Sequence, residues 1–104
     1  MGEFNVNISD LAKRDVRNIA AYIWHDLHEP VTAEKTTTAI LDAISTLEDM
    51  PARVGLVNDE RLAEKQVRGL QVKNYTVFFR IDEIVKTVEI IRVIYSRRDW
   101  AMLL

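Results

Sequence analysis

A chain of 104 residues, 48% apolar and 29% charged, with a net charge of −2 and no Cys, is neither a low-complexity disordered chain nor a polycationic nucleic-acid binder. Without Cys it has no disulfide framework, thiolate metal site or cysteine nucleophile. No apolar run approaches the roughly 20 residues of a spanning helix, and Met1-Gly2-Glu3-Phe4-Asn5-Val6 has neither a signal-peptide nor a myristoylation pattern, so one cytoplasmic domain, residues 1–104, with no membrane contact is expected.

Phe4-Asn5-Val6-Asn7-Ile8 alternates apolar and polar residues, the period of a short strand. Ser9 or Asp10 then caps a helix whose apolar stripe runs through Val16, Ile19, Ala20, Ile23, Trp24 and Leu27, opposite Lys13, Arg14, Arg17 and Asn18. This helix stops at His28-Glu29-Pro30. Pro30 opens a second helix without losing a hydrogen bond, and Ala33, Thr37, Ile40, Leu41, Ile44, Leu47 and Met50 carry its stripe to Pro51. So short a junction makes the two helices an antiparallel hairpin.

Residues 51–66 hold Pro51, Gly55, Asn58 and Asp59 without sustained periodicity and are expected to form a loop, with a helical turn near Glu60 to Glu64. The period then changes. Val67 to Val72, Tyr75 to Ile81 and Val85 to Tyr95 are rich in Val, Ile, Tyr and Phe and are split by Lys73-Asn74 and Asp82-Glu83, which describes a three-strand antiparallel meander. The order of elements implies a two-layer α+β domain with the helical hairpin on one sheet face and the other face or its edge left for function. Trp100, Leu103 and Leu104 are expected to fold back onto the helices, with Asp99 paired to a neighbouring Arg.

Charge divides along the chain. Residues 1–60 carry five Lys/Arg against eleven Asp/Glu, and residues 61–104 carry nine against five. The basic half has no His, and the chain has no phosphate-binding Gly-rich loop. His25 and His28, at i and i+3, could share a metal with Asp26 or Glu29, but basic side chains in a last helical turn suit the helix dipole, and no metal or cofactor is expected. Cations threaded through apolar strands carry more information. Arg80 and Arg92 stand where strand periodicity expects half-buried positions, Arg68 and Lys73 lie on the neighbouring strand, and Arg97-Arg98 follow the last one. Local pairing of Arg80 and Arg92 with Asp82, Glu89 or Asp99 is one reading. An anionic partner, either nucleic-acid phosphate or an acidic peptide, is the other.

These segments resemble the RelE/ParE superfamily of toxins from type II toxin-antitoxin systems. The resemblance lies in Leu47-Glu48-Asp49-Met50-Pro51 and Gly55 after a helical hairpin, Val67-Arg68-Gly69-Leu70, Asn74-Tyr75-Thr76-Val77-Phe78-Phe79-Arg80-Ile81, and the ending Ile90-Ile91-Arg92-Val93-Ile94-Tyr95-Ser96-Arg97-Arg98-Asp99-Trp100. It implies a cytoplasmic growth inhibitor, of the kind linked to plasmid stabilization, neutralised by a cognate antitoxin from the same operon, as a homodimer or a toxin-antitoxin hetero-oligomer. Arg80, Arg92, Arg97, Arg98 and Trp100 are the implied antitoxin- or target-binding residues. RelE-like members cleave mRNA in the ribosome, and for that chemistry Arg68, Arg92, Tyr95, Arg97 and Arg98 are the candidates. Tyr75 falls where several nucleases carry an Arg, and the last strand has no His. ParE-like members poison DNA gyrase without nuclease residues and tend to have a long hairpin, as residues 10–50 suggest. The isoelectric point near 5.6 also departs from strongly basic nucleases. The ParE-like reading is therefore preferred, with the ribosome-dependent ribonuclease and a non-toxic peptide- or RNA-binding module as alternatives.

Overall fold

The computed structural model describes residues 2–104; Met1, the first residue of the N-terminal segment read above, lies outside them. Strand β1 (Asn5–Ile8) leads into helix α1 (Asp10–Ala21), and helix α2 (Pro30–Ser45) runs back beside it. A short helix α3 (Glu60–Glu64) precedes strands β2 (Arg68–Val72), β3 (Tyr75–Asp82) and β4 (Thr87–Tyr95). The sheet order is β1-β4-β3-β2: the three C-terminal strands form the expected antiparallel meander, and β1 adds to β4 in parallel, Asn5 opposite Thr87 and Ile8 opposite Ile90. No helix among the described residues is long and apolar enough to cross a membrane.

Ser9 is the hinge between β1 and α1. Its hydroxyl accepts from Ala12 N–H at 3.0 Å, capping the helix, and donates to the Ile91 carbonyl on β4 at 3.0 Å. The helix entry is thereby fixed to the sheet. From there Ala12, Asp15 and Val16 are buried on one face of α1, and Ala33, Thr36, Ile40 and Ile44 on one face of α2. Of these, Ala12, Val16, Ile40 and Ile44 close over Val77, Phe79, Val88, Ile90 and Val93 in the main core. Thr36, not Thr37, is the buried threonine, and Leu41 and Met50 of the expected stripe face solvent.

Two departures from regular geometry set which side chains reach which face. A one-residue bulge lets Phe78 face Arg92 and Phe79 face Ile90, so that Ile91 is the extra residue of β4. Ile90 and Val93, three apart, therefore share the hairpin-facing core, while Ile91 and Ile94 serve the opposite face. In the helix, Tyr22–Asp26 is a π-helical turn, with Leu27 N–H bonded to the Tyr22 carbonyl at 3.2 Å. The wider turn breaks the 3.6-residue stripe. Ile23 stays buried, but Trp24 and Leu27, expected inside, are 52% and 46% exposed.

The second sheet face is not bare. Asp59 caps α3 by accepting from Leu62 N–H at 3.0 Å, and Leu62 joins Val67, Phe78 and Ile94 in a separate cluster. Trp100, Ala101 and Leu104 pack on this cluster, with the Trp100 ring 5.1 Å from that of Phe78. The C-terminus therefore folds back onto the face opposite the α1/α2 hairpin, not onto the hairpin, because the bulge turns Ile91 and Ile94 to that side and leaves them needing cover. Asp99 forms no ion pair among the described residues; its carbonyl accepts from Met102 N–H in the closing 3-10 turn. Gly69 allows the 55–57 segment to lie close on β2, since a Cβ there would meet Thr76 Cγ2 at 3.1 Å and Val57 Cγ1 at 3.2 Å.

Candidate functional site

The cations that the sequence groups together are separated by the sheet. Arg68 lies on β2 and Arg92 on β4, with β3 between them. Arg68 Nη1 donates to the Val54 carbonyl at 2.6 Å and to Ala52 at 3.4 Å, which ties the 52–54 loop to β2. Arg80 is exposed opposite Glu89 without an ion pair to it. The carboxylates expected to pair locally are otherwise engaged: Glu89 accepts from Asn7 Nδ2 at 2.7 Å, and Asp82 Oδ1 accepts from the Ile84 and Val85 N–H groups.

Arg92 pairs instead with Asp15 of α1. Its Nε and Nη2 donate to the two carboxylate oxygens at 2.8 and 2.9 Å, a two-pronged contact that fixes both groups. Beyond Ile8 the edge of β4 has no strand beside it, and Asp15 Oδ2 takes the place of the missing ladder acceptor by bonding Val93 N–H at 2.9 Å. The Asp15 hydrogen bond and then its charge hold the Arg92 guanidinium above its already high range, against the opposing effect of burial. Asp15 was not singled out from the sequence. Its signal was available: Ala12, Asp15, Val16 and Ile19 fall on one helical face, and an acid in that row needs a cation.

A cleft of about 720 Å³ opens beside this pair, between the end of α1 and the paired ends of β3 and β4. It gathers Arg92, Tyr95 and Arg98 of the proposed residues, whereas Arg68, Arg80, Arg97 and Trp100 do not line it. Its aromatic wall is Tyr75 and Tyr95, edge to face with centroids 5.9 Å apart, and Tyr22 comes from the π-helical turn. Arg97 and Arg98 are exposed in the turn after β4, and Trp100 is half-buried on Phe78. His25 and His28 are both exposed at the hairpin end, His25 beside the Trp24 ring.

Burial first, then the proximity of the Tyr22 and Tyr95 phenols, raises the Tyr75 phenol above its ordinary 10.0. The folded state thus favours the neutral phenol. Its contribution to stability is complete below the unfolded value and is lost as pH rises through the folded one. The urea midpoint is expected to fall as pH rises past the ordinary 10.0, and Tyr75→Phe to show a smaller fall over the same range. An equal fall in both proteins would remove Tyr75 as the cause.

A helical hairpin on a four-stranded sheet, followed by a basic C-terminal turn, is an α+β architecture shared with solved structures from toxin-antitoxin systems. Residues 6–100 match the family described as the ParE toxin of type II toxin-antitoxin system, parDE, and the chain belongs to that family, within the ParE/RelE superfamily. Solved structures share the fold, two of them from toxin-antitoxin systems. One is from the chromosomal ParDE TA system of P. aeruginosa, 19% identical, covering 90% of this chain and 97% of that one with a TM-score of 0.74. The other is from the toxin-antitoxin complex RelBE2 of Mycobacterium tuberculosis, 21% identical, covering 88% and 96% with a TM-score of 0.63. No curated protein matches the sequence.

Proposed function

We propose that residues 1–104 act as one cytoplasmic toxin domain that arrests growth by poisoning DNA gyrase and is held silent by a cognate antitoxin. The observation that carries this reading is the ParE-family match over residues 6–100. The chemistry of the side chains supports it. A ribonuclease must offer cations to phosphate and to the charge that develops in the transition state. Here Arg68 is bonded to backbone carbonyls and Arg92 to Asp15, which leaves Arg97 and Arg98 of the candidate cations uncommitted, and Tyr95 has no hydrogen-bonded base beside it among the described residues. A gyrase poison needs a binding surface and no general base.

The antitoxin reading draws on the solved relatives, which come from ParDE and RelBE2 toxin-antitoxin systems. An acidic amphipathic segment suits this chain: Tyr22, Trp24, Leu27 and Val31 are exposed at the hairpin end, and Arg97 and Arg98 stand in the C-terminal turn. Induction of the chain alone in bacteria is expected to produce gyrase-dependent double-strand breaks while mRNA stays intact. Ribosome-dependent mRNA cleavage without DNA breaks would replace this reading with the RelE-like one.

A further inference from the structure

The cleft beside Asp15 and Arg92 has more uncommitted polar chemistry than the fold uses. Asn18, Tyr22, Asn74, Tyr75, Tyr95 and Arg98 all line it, and none of their side chains makes a hydrogen bond or ion pair with another described residue. Arg92 is already satisfied by Asp15, so Arg98 is the cation left to a ligand. The volume, about 720 Å³, lies within the range of small-molecule sites.

Each group restricts what fits. Tyr22 and the edge-to-face Tyr75–Tyr95 pair put three phenol rings in the lining, surface on which a flat aromatic group can stack. Asn18 and Asn74 each present a donor and an acceptor, the complement of a heterocycle's edge. A single guanidinium suits a single anionic group. An acidic peptide with several carboxylates would find one uncommitted cation here, and inorganic phosphate would leave the aromatic walls unused. We propose that this cleft binds a nucleoside 5′-phosphate, with its base against the tyrosines, its base edge on Asn18 and Asn74, and its phosphate on Arg98. The ligand is either a free nucleotide or the phosphorylated end of a single strand; the recognition chemistry is the same. This binding does not depend on gyrase being the toxin's target.

Calorimetric titration of the full chain with the common nucleoside 5′-monophosphates, the matching nucleosides and inorganic phosphate tests the site without any gyrase or growth readout. At least one monophosphate is expected to bind with a Kd below about 1 mM, and its nucleoside about tenfold more weakly. Arg98→Ala should bring the monophosphate down to the nucleoside's affinity and leave the nucleoside unchanged. Tyr22→Ala should weaken both by about tenfold, as expected for a lost stacking face. Both positions are exposed, and a thermal melt of each variant checks that the fold is retained. A 5′-phosphorylated tetranucleotide that binds more tightly than the mononucleotide would assign the strand end, and equal affinity the free nucleotide. The proposal is overturned if no monophosphate saturates, if phosphate alone binds as tightly, or if both variants bind like the parent.

Discussion

Asp15→Ala is expected to lower stability by about 3 kcal/mol, at the lower end of the cost of breaking a buried ion pair because Arg92 keeps some contact with water. For a domain of this length that is a fall in Tm of roughly 12 °C or more. The alanine removes one acceptor group from three donors at once: Arg92 Nε, Arg92 Nη2 and Val93 N–H. The guanidinium side chain is 17% exposed, so its charge would be left poorly solvated, and the edge of β4 would lose its substitute ladder partner. The same argument fixes the controls. Asp15→Asn keeps an acceptor but loses the charge and should fall between the parent and Asp15→Ala. The pair Asp15→Leu with Arg92→Met removes both charges and should be more stable than Asp15→Ala alone. A double-mutant cycle at the two positions is expected to give a coupling of at least about 1 kcal/mol. If Asp15→Ala unfolds within about 1 kcal/mol of the parent, the pair is not what joins α1 to the sheet.

That pair also shows where the sequence ceased to be readable. The strands and the hairpin were legible because each is a local pattern: alternation in Asn5–Ile8, enrichment in Val, Ile, Tyr and Phe in Tyr75–Asp82, and three- and four-residue spacing in α1 and α2. The cap at Ser9 and the helical turn at Glu60–Glu64 were legible from local residue type and not from periodicity. Asp15 and Arg92 are 77 residues apart, and only the parallel pairing of β1 with β4 brings them together. The bulge at Ile91 and the π-helical turn at Tyr22–Asp26 each insert one residue into a regular repeat, so every face assignment beyond them shifts. Trp24 and Leu27 were misplaced by the second, and the C-terminus was assigned the wrong sheet face without the first. The candidate site suffered more than the fold. Its Arg residues were visible singly, but the cleft takes Asn18 and Tyr22 from the helix and Asn74 and Tyr75 from a turn and strand, a grouping that no linear motif records.

Deleting residues 97–104 is expected to destabilise the domain by about 3–5 kcal/mol, on the scale of burial free energy per unit of apolar area. Trp100, Ala101 and Leu104 cover the cluster of Leu62, Val67, Phe78 and Ile94, and without them Phe78 and Ile94 would face water. A wholly buried Trp removes roughly 150–250 Å² from solvent; Trp100 is half-buried, so about 2–3 kcal/mol of the loss belongs to it. Trp100→Ala should therefore reproduce at least half of the deletion's effect, whereas Met102→Ser, at a position 79% exposed, should leave the urea midpoint unchanged. The carbonyl contacts contribute less: Arg61 to Ala101 at 3.0 Å and Arg92 to Leu103 at 3.4 Å are exposed, and water replaces them when they break. A truncated chain that melts with the parent and remains fully toxic would overturn this placing of the C-terminus. A truncation that loses both stability and toxicity reports on folding, because the same residues close the core beneath β3 and β4. Substitution at Arg97, exposed, outside that cluster and outside the cleft, is the one whose effect on growth can be assigned to a partner surface.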